Sequence, residues 1–416
     1  MKYPPGTKVP PQIPFVIVGA GPGSFIGNCA WLPALSAVGH FLLVGAAPSR
    51  TPEGAAWFAD NARLAHENVS TSLADLLSRP HIQELSPIVC ITTETPDHAG
   101  SIRTAIEGGA KWIIIDKPLF TGYEEHIQTA ALLAKHPEVK IIVTFNHRYC
   151  SGIFQLRSMA QKKRVVQASS GFLQGWLKTD PGIRQSKWRT SHPLCGVLDI
   201  MVHSQDLTCF VLGQELTAVK DVALSRNGQH GLQFWDTGVS KLCFDTGLET
   251  SNEFSQAKEG HLDDIFLQLT FEDGTHALWR LEWGPEAVFT SSGNGDMDDP
   301  GQWKRHLRGS SFFEPEINGM FGGLTPPGHV LGWPDLWRAL FEGIAGDIYR
   351  STELLTADAM QGTLMNLPLP SFMDAGELHM AYAEAVGLSH RQSGALITLA
   401  SVRAGDRHHL TPDDVK

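Results

Sequence analysis

The run Ile13-Pro14-Phe15-Val16-Ile17-Val18-Gly19-Ala20-Gly21-Pro22-Gly23-Ser24-Phe25-Ile26-Gly27 decides the fold of this chain. Its apolar, β-branched start passes directly into a glycine-rich turn, which predicts a buried strand, a tight turn and a helix. Glycines in such a turn let the backbone approach a pyrophosphate at the helix N-terminus. Gly19 and Gly21 fit the first two places of G-x-G-x-x-G, Ser24 takes the third, and Gly27 can allow close helix packing instead. The turn therefore predicts dinucleotide binding.

This run opens a regular alternation of strands and helices. Short β-rich segments alternate with longer helical patterns, which is typical of a parallel sheet covered on both faces. The predicted strands are Ile13–Val18, Phe41–Gly45, Pro87–Thr93, Trp112–Ile115 and Lys140–Phe145, and the predicted helices include Pro52–His66, His98–Glu107 and Gly122–Ala134. We therefore expect a Rossmann-type dinucleotide-binding domain over residues 13–147, after an N-terminal arm or tail of residues 1–12.

The second half of the chain has a different pattern, with strands that follow one another without helices between them. The predicted strands are Val165–Leu173, Ala218–Ser225, Phe266–Phe271 and His276–Trp283, and Glu272-Asp273-Gly274 is a hairpin signal. The segment Gly284–Gly328 is expected to be loop-rich, and helices are expected around Trp333–Ile344 and Asp374–Val386. This pattern predicts an α+β domain with a large, mainly antiparallel open sheet over residues 148–402, then a polar tail of residues 403–416.

Composition limits the classes of function. A chain of 416 residues is too long for one ordinary core, which agrees with two domains. The net charge of −11 argues against a nucleic-acid partner. The six cysteines are scattered and suggest neither a zinc site nor a disulfide framework. The N-terminus lacks the apolar segment of a signal peptide, and no apolar run approaches a membrane span, so we expect a cytoplasmic protein with no membrane partner.

The segment after the second predicted strand bears on the choice of dinucleotide. Residues 45–51 contain no acidic side chain that would bind the adenosine ribose and repel a 2′-phosphate. Ser49 and Arg50 could bind such a phosphate, which favours NADP. The alternative is that Arg50 is a solvated surface residue and the site takes NAD.

Two further motifs end predicted strands. Asp116-Lys117-Pro118 follows the fourth strand, at the edge where open parallel sheets place their ligands. Pro118 biases Lys117 toward an extended conformation, which would aim the lysine off the strand end. The alternative is a surface lysine before a turn. Asn146-His147-Arg148-Tyr149 ends the fifth strand and opens the second half.

A helical triple stands near the middle of the chain. Asp199, His203 and Asp206 are four and three residues apart in an otherwise apolar segment, so a helix would place them on one face. A carboxylate beside a histidine suits proton transfer near neutral pH, and Asp206 could orient His203. The alternatives are a satisfied buried His–Asp pair, a helix edge that faces water, and a metal site. We do not expect a metal, because no further ligand is indicated.

Taken together, these pieces resemble the glucose–fructose oxidoreductase/inositol dehydrogenase family (Gfo/Idh/MocA) over roughly residues 13–390. The resemblance rests on the glycine-rich turn, Thr95-Pro96-Asp97-His98, Asp116-Lys117-Pro118, Asn146-His147-Arg148-Tyr149 and Asp199-Ile200-Met201-Val202-His203. Gln174-Gly175-Trp176 and Trp188-Arg189-Thr190 are similar to a branch that acts on sugars. Two departures are Asp116, where the family usually has Glu, and Met201, where it commonly has Gly.

The resemblance implies roles for individual residues. Lys117, Asp199 and His203 would converge on the substrate hydroxyl, with His203 as the general acid/base. Residues expected at the cofactor are Gly19, Gly21, Gly23, Ser24, Phe25, Ile26, Ser49, Arg50, Thr93, Thr95, Pro96, His98, Asp116, Lys117 and Asn146. Residues expected at the substrate are Gln174, Trp176, Trp188, Arg189, Asp199, His203 and His329. For Gln174, Trp176, Trp188, Arg189 and His329, a structural role is an equal alternative.

The expected function is that of an NAD(P)-dependent oxidoreductase that interconverts a hydroxyl and a carbonyl on a sugar, sugar derivative or cyclitol. Two alternatives stay open: a redox-neutral glycosidase of the same fold, and a non-catalytic regulator that senses sugar or cofactor. A regulator would often lack the lysine or the histidine. We also expect a homodimer or homotetramer built through the second-domain sheet, on the premise that one face of this sheet is too apolar to leave in water.

Overall fold

The structure is a computed structural model, which describes residues 11–175, 177, 187–227, 234–258, 264–284, 286–293, 295–297, 299–307, 333–351 and 369–405. Two of the expected substrate residues, Trp176 and His329, lie outside the described residues. Within them, no helix is both long and apolar enough to cross a membrane.

The N-terminal half contains a five-stranded sheet in which all neighbouring strands are parallel, in the order β2-β1-β3-β4-β5. Its strands are β1 (Ile13–Val18), β2 (Phe41–Ala47), β3 (Ile88–Ile91), β4 (Trp112–Asp116) and β5 (Lys140–Thr144). Four of the five strands are buried almost throughout because helices cover both faces, and this is why the sequence gives continuous apolar runs rather than alternation. The predicted Rossmann-type architecture is confirmed.

The helices of this half alternate with the strands. The α-helices are Leu32–Val38, Pro52–Ala62, Leu73–Leu77, Pro80–Gln83, His98–Glu107 and Tyr123–Leu133, and Phe25–Trp31 is a π-helical segment. The next helix, Ser151–Lys162, packs against elements of the second half. Short 3₁₀ turns occupy His66–Asn68, Thr95–Asp97 and Asn146–Tyr149. The helix predicted over Pro52–His66 ends earlier, because Arg63 adopts a left-handed conformation with φ of 53°.

The second half is built on a nine-stranded sheet in the order β13-β12-β11-β10-β6-β9-β8-β7-β14. Its strands are β6 (Val165–Leu173), β7 (Leu216–Ser225), β8 (Thr237–Phe244), β9 (Glu249–Ser255), β10 (Asp264–Phe271), β11 (His276–Arg280), β12 (Ala287–Ser291), β13 (Lys304–Leu307) and β14 (Ile397–Thr398). Neighbouring strands are antiparallel except β6 and β9, which are parallel. The predicted mainly antiparallel sheet is confirmed.

Two expectations about this half need correction. The segment Gly284–Gly328 contains the strands β12 and β13 rather than loop alone. The strands β8 and β9 were also not predicted. Several of these strands are short or carry many polar residues, as in the Lys-Arg-His-Leu of β13, so they lack an apolar run long enough to indicate a strand.

The remaining helices follow in the second half of the chain, and one of them packs against the first half. They are Lys187–Ser191, the π-helical Val197–Met201 followed by Val202–Leu212, Trp333–Ser351, the π-helical Phe372–Gly376 followed by Glu377–Arg391, and Leu399–Ala404. Trp337 and Phe341 of the long helix Trp333–Ser351 pack against Trp31 of the N-terminal half, at centroid distances of 5.6 and 5.5 Å. The chain therefore returns to cover one face of the first sheet with a helix whose residue numbers belong to the second domain.

The outer face of the nine-stranded sheet is mixed in character. Val239 of β8 is 46% exposed, but Lys241 on the same strand and Glu249 and Ser251 on β9 are exposed polar residues. The premise of a strongly apolar face is therefore not met along β8 and β9. The homodimer or homotetramer stays a prediction.

Candidate active site

The glycine-rich turn lies where the first strand meets its neighbours. Gly19 has φ of +83°, and a Cβ atom there would come within 2.6 Å of the Thr93 backbone nitrogen, so glycine is required on both grounds. A Cβ atom on Gly27 would come within 2.8 Å of Ala20 Cβ and Thr92 Oγ1, so Gly27 does allow the helix to pack closely. Ser24 caps that helix, since its Oγ accepts from the Gly27 amide at 3.2 Å. One side of the turn therefore packs closely against the residues that directly follow β3.

The open side of this turn fits a dinucleotide. Nothing lies within 4 Å of the position of a Cβ atom on Gly23. Gly21 is held against Pro48, and Asn28 Nδ2 donates to the Gly21 carbonyl oxygen at 2.7 Å. Phe25 and Ile26 begin the helix, and the first backbone amides of a helix have no acceptor within the helix itself. Sequence reasoning did not identify Asn28, which braces the turn.

The segments after β2 and β3 meet beside the turn. Arg50, after β2, forms an ion pair with Asp97 at 2.6 Å, with Arg50 mostly exposed. Ser49 Oγ lies 3.3 Å from Thr51 Oγ1. Thr95 and Pro96 begin a short turn before helix His98–Glu107, and the ring of His98 lies 3.0 Å from both the Thr93 and the Leu119 carbonyl oxygens. Burial lowers the pKa of His98, although its contacts with the two carbonyl oxygens oppose this shift, and the neutral ring can donate to only one of them.

Lys117 joins the two halves of the molecule. It follows β4, and its Nζ donates to the backbone carbonyl oxygen of Asp199 at 2.8 Å and to Asp199 Oδ1 at 2.9 Å. The Lys117 side chain is 15% exposed and that of Asp199 is 3% exposed, so the pair lies nearly enclosed at the junction of the two halves, which we call the cleft. The structure therefore brings these two predicted residues together, as a charge pair that leaves part of the ammonium accessible.

Arg189 is a second cation on the same carboxylate. Its Nε donates to Asp199 Oδ2 at 3.2 Å, and its guanidinium lies 5.1 Å from the ring of Trp188. The attraction of Asp199 raises the pKa of Arg189 in spite of its burial. Asp199 is thereby held between two positive charges.

His203 lies one helical turn after Asp199 and is 4% exposed. Its Nδ1 is 3.1 Å from Nδ1 of His147, and the two rings are nearly perpendicular at 87°. Burial is the main cause that moves the pKa of His203 well below its usual range, and the positive charge of Lys117 acts in the same direction. His203 is therefore neutral, the form in which it can accept a proton.

Asp206 does not contact His203 in the way that the triple suggested. Its carboxylate accepts two hydrogen bonds from Arg148, from Nε at 2.7 Å and from Nη2. Both side chains are nearly buried, at 6% and 12% exposure. The expectation that Asp206 orients His203 is therefore wrong, because the guanidinium fork of Arg148 occupies both carboxylate oxygens.

Asp116 is buried directly before Lys117. Thr144 Oγ1 donates to Asp116 Oδ1 at 3.1 Å, across the β4–β5 pair. Burial raises the pKa of Asp116 to about 6, although Lys117 opposes this shift. Asn146, also expected at the cofactor, is buried in the turn after β5.

The remaining substrate candidates are enclosed. Gln174 is 2% exposed, and its backbone amide donates to the Ser255 carbonyl oxygen at 2.6 Å. Trp188 is 6% exposed and packs in a small apolar cluster with Cys195 and Phe234. This packing favours the structural alternative for Trp188, whereas Arg189 faces the Lys117–Asp199 pair.

Sequence reasoning missed three residues of this site. His147, Arg148 and the buried His379 surround His203 and Asp206 from other elements, and His379 lies against Phe145 at a centroid distance of 5.3 Å. The signal that could have identified the first two was present, since Asn146-His147-Arg148-Tyr149 ends a strand at the ligand edge. No comparable signal marks His379, which lies in an ordinary helical pattern.

Comparison with known families identifies the class of protein. Residues 13–145 match the family model GFO_IDH_MocA, described as an oxidoreductase family with an NAD-binding Rossmann fold. The match covers the nucleotide-binding domain, and the resemblance drawn from the sequence motifs is confirmed there. A search of curated proteins gives no match.

Solved structures share the fold over nearly the whole chain. An oxidoreductase from Pseudomonas syringae aligns with a TM-score of 0.74 and 18% identity, covering 94% of this chain and 100% of the other. An inositol dehydrogenase homologue from Azotobacter vinelandii, complexed with NADH and myo-inositol, has a TM-score of 0.70 and 19% identity and covers 93% and 98%. A levoglucosan dehydrogenase, complexed with NADH and levoglucosan, has a TM-score of 0.65 and 21% identity and covers 93% and 99%. At these identities the likeness establishes the fold.

Proposed function

We propose that this protein is an NAD(P)-dependent oxidoreductase that interconverts a secondary hydroxyl and a carbonyl on a sugar, sugar derivative or cyclitol. The observation that carries the proposal is the junction of Lys117, Asp199 and His203 beside the ligand edge of a Rossmann-type sheet. An ammonium group and a neutral imidazole at the cleft match what carbinol oxidation requires. Two solved structures of the same fold hold NADH with a cyclitol or an anhydrosugar, which supports this substrate class.

The residues of the glycine-rich turn would hold the dinucleotide. The open position at Gly23, the braced backbone of Gly21 and the helix start at Phe25 suit a pyrophosphate. Ser49 and Arg50 lie after β2, where the adenosine ribose belongs, and they support a preference for NADP. When bound, the nicotinamide accepts or returns a hydride.

Each side chain of the cleft then has a defined task. His203 takes the hydroxyl proton as the carbonyl forms, and returns it in the reverse direction. Lys117 donates a hydrogen bond to the reacting oxygen and stabilises the negative charge that develops on it. Asp199 holds Lys117 in place, and Arg189 holds Asp199, because the carboxylate binds both cations. Met201, where the family commonly has Gly, lies fully buried within the same segment.

The proposal is tested by the absorbance of reduced nicotinamide across a panel of sugars, anhydrosugars and inositols, each with NAD and with NADP. Steady reduction with at least one substrate is expected. Cleavage of an aryl glycoside without net reduction would favour the redox-neutral glycosidase. Dinucleotide and sugar binding by calorimetry, with neither reaction, would favour the sensing regulator.

A further inference from the structure

Among the described residues, the hydrogen-bond contact of the His203 imidazole is with a second imidazole and not with a carboxylate. The two Nδ1 atoms of His147 and His203 are 3.1 Å apart. A nitrogen–nitrogen hydrogen bond needs one proton between the two atoms, so one ring must donate and the other must accept. Burial and the charge of Lys117 lower the pKa of His147 to about 3, so both rings are neutral and share a single proton.

The location of this shared proton sets the chemistry of His203. When His203 carries it on Nδ1, its Nε2 has a free lone pair and acts as a base. When His147 carries it, His203 bears its proton on Nε2 and acts as an acid. Among the described residues, His203 Nε2 has no hydrogen-bond partner. His147 Nε2 has none there either, and it is buried. A buried polar nitrogen of this kind is usually satisfied by ordered water.

We propose that His147 is a positioning residue that also carries the proton of the reaction, acting through His203. In the oxidation, the substrate O–H bond breaks as an Nε2–H bond forms on His203, and the C–H electron pair leaves as hydride to the nicotinamide. The Nδ1–H bond of His203 breaks as an Nδ1–H bond forms on His147, and His147 then releases its Nε2 proton to water. The reduction runs through the same bonds in reverse. The relay rests on the proposed oxidoreductase function.

The surroundings of the two rings support transfer rather than storage of the proton. His147 is faced by Lys117, by His203 and by the ring of Phe172, so a positive charge on it is short-lived. His203 is faced in addition by Asp199, which favours its charged form, and by His379, which disfavours it. In the neighbouring Arg148–Asp206 pair the positive and negative charges cancel, so the pair adds no net charge beside the two rings.

Two variants separate positioning from proton transfer. In His147→Asn, the side-chain oxygen can replace Nδ1 as an acceptor for His203 but cannot take up a proton. In His147→Phe, the hydrogen bond is removed as well. The matched control is His126→Asn, since His126 is a buried histidine with an unpartnered Nδ1 that stacks on Phe372 at 4.5 Å.

The first measurement needs no cofactor or substrate. In protein labelled with ¹⁵N-histidine, a scalar coupling across the hydrogen bond should connect the two Nδ1 atoms. This coupling should persist in His126→Asn and disappear in His147→Asn, with His203 then held as the Nδ1–H tautomer. Its absence from the wild-type spectrum would overturn the relay alone.

The second measurement is kcat as a function of pH in H₂O and D₂O, corrected for folded fraction. We expect His147→Asn to lower kcat by roughly tenfold to a hundredfold, part of the usual contribution of acid–base catalysis, with dinucleotide KM unchanged. The solvent isotope effect should rise, and His126→Asn should match the wild type. Wild-type kcat in His147→Asn would overturn the relay. Lack of turnover by the wild-type chain would overturn the proposed function, and the relay with it.

Discussion

Two charge pairs join the halves of this molecule, and both use an aspartate of the same central segment. Asp199 meets Lys117 and Arg189 at the cleft, where the two cations keep 15% and 28% of their side chains exposed. Asp206, seven residues later, meets Arg148 in a nearly closed interior. Both carboxylates accept hydrogen bonds on both oxygens, and Asp199 differs from Asp206 in binding a second cation, Arg189. Lys117 and Arg148 are buried to a similar degree, at 15% and 12% exposure, so the two sites differ mainly in the half-buried Arg189 that only Asp199 binds.

The largest effect should come from the cleft. We expect His203→Ala to lower kcat by roughly two to four orders of magnitude, because the acid/base is removed, while dinucleotide affinity stays nearly unchanged. Lys117→Ala should behave similarly, with an added loss of substrate binding. The measurement is kcat on a responsive sugar or cyclitol, per folded molecule. A corrected value within about threefold of the wild type would remove His203 from the mechanism.

Breaking the enclosed pair should act on stability. We expect Asp206→Ala to lower the free energy of unfolding by about 3 to 5 kcal/mol, because the guanidinium of Arg148 stays buried without its partner. Denaturant unfolding measures this loss. The double variant Arg148→Met with Asp206→Leu should recover most of it, whereas Glu272→Ala, in an exposed pair with Arg164, should change little. A small loss in Asp206→Ala would show that water reaches Arg148.

Acid should act on buried histidines rather than on the two pairs. Burial lowers the pKa of His126 to about 4, and those of His147 and His379 to about 3, whereas unfolded histidine titrates near 6.5. On going from about pH 7.5 to pH 5, the unfolded chain gains protons that the folded chain does not. Each histidine then lowers the free energy of unfolding by about 2 kcal/mol.

Asp116 opposes this trend, because its pKa is raised to about 6 and its protonation in the folded state stabilises the fold as pH falls through that value. Since three histidines outweigh one carboxyl group, we expect a lower Tm at pH 5 than at pH 7.5. Calorimetric scans measure it, and His379→Leu should reduce the difference. An equal or higher Tm in acid would contradict the burial of these rings.

A third charge pair lies at the protein surface, and its removal should have the smallest effect of the three, on dinucleotide binding. Arg50 and Asp97 are both exposed, so their contact should add little to stability. We expect Arg50→Ala to weaken NADP binding by roughly tenfold without changing NAD binding, because the guanidinium contributes a charge-assisted hydrogen bond to the 2′-phosphate. Calorimetric titration with each dinucleotide measures this. Asp97→Ala should strengthen NADP binding, and equal losses for both dinucleotides would exclude the 2′-phosphate contact.

The predictability of the fold differed between the two halves for a physical reason. Strands buried on both faces, such as Ile13–Val18, form continuous apolar runs that stand out locally, and they were placed within a few residues. Strands such as β9 or β13 have exposed polar residues and derive their stability from pairing with distant strands. That pairing is invisible in a short window of sequence.

The sequence by itself determined the dinucleotide turn, the lysine at the end of β4 and the spacing of Asp199 and His203, because each depends on local periodicity or on the conformational needs of glycine. Only the tertiary structure decided which partners these groups have. His147 and His203 are 56 positions apart, and Arg148 and Asp206 are 58 apart. These residues meet because the turn Asn146–Tyr149 packs beside helix Val202–Leu212. The apolar residues that drive such packing can replace one another without loss of the fold. Their pattern in the sequence therefore does not specify which polar groups the packing brings together.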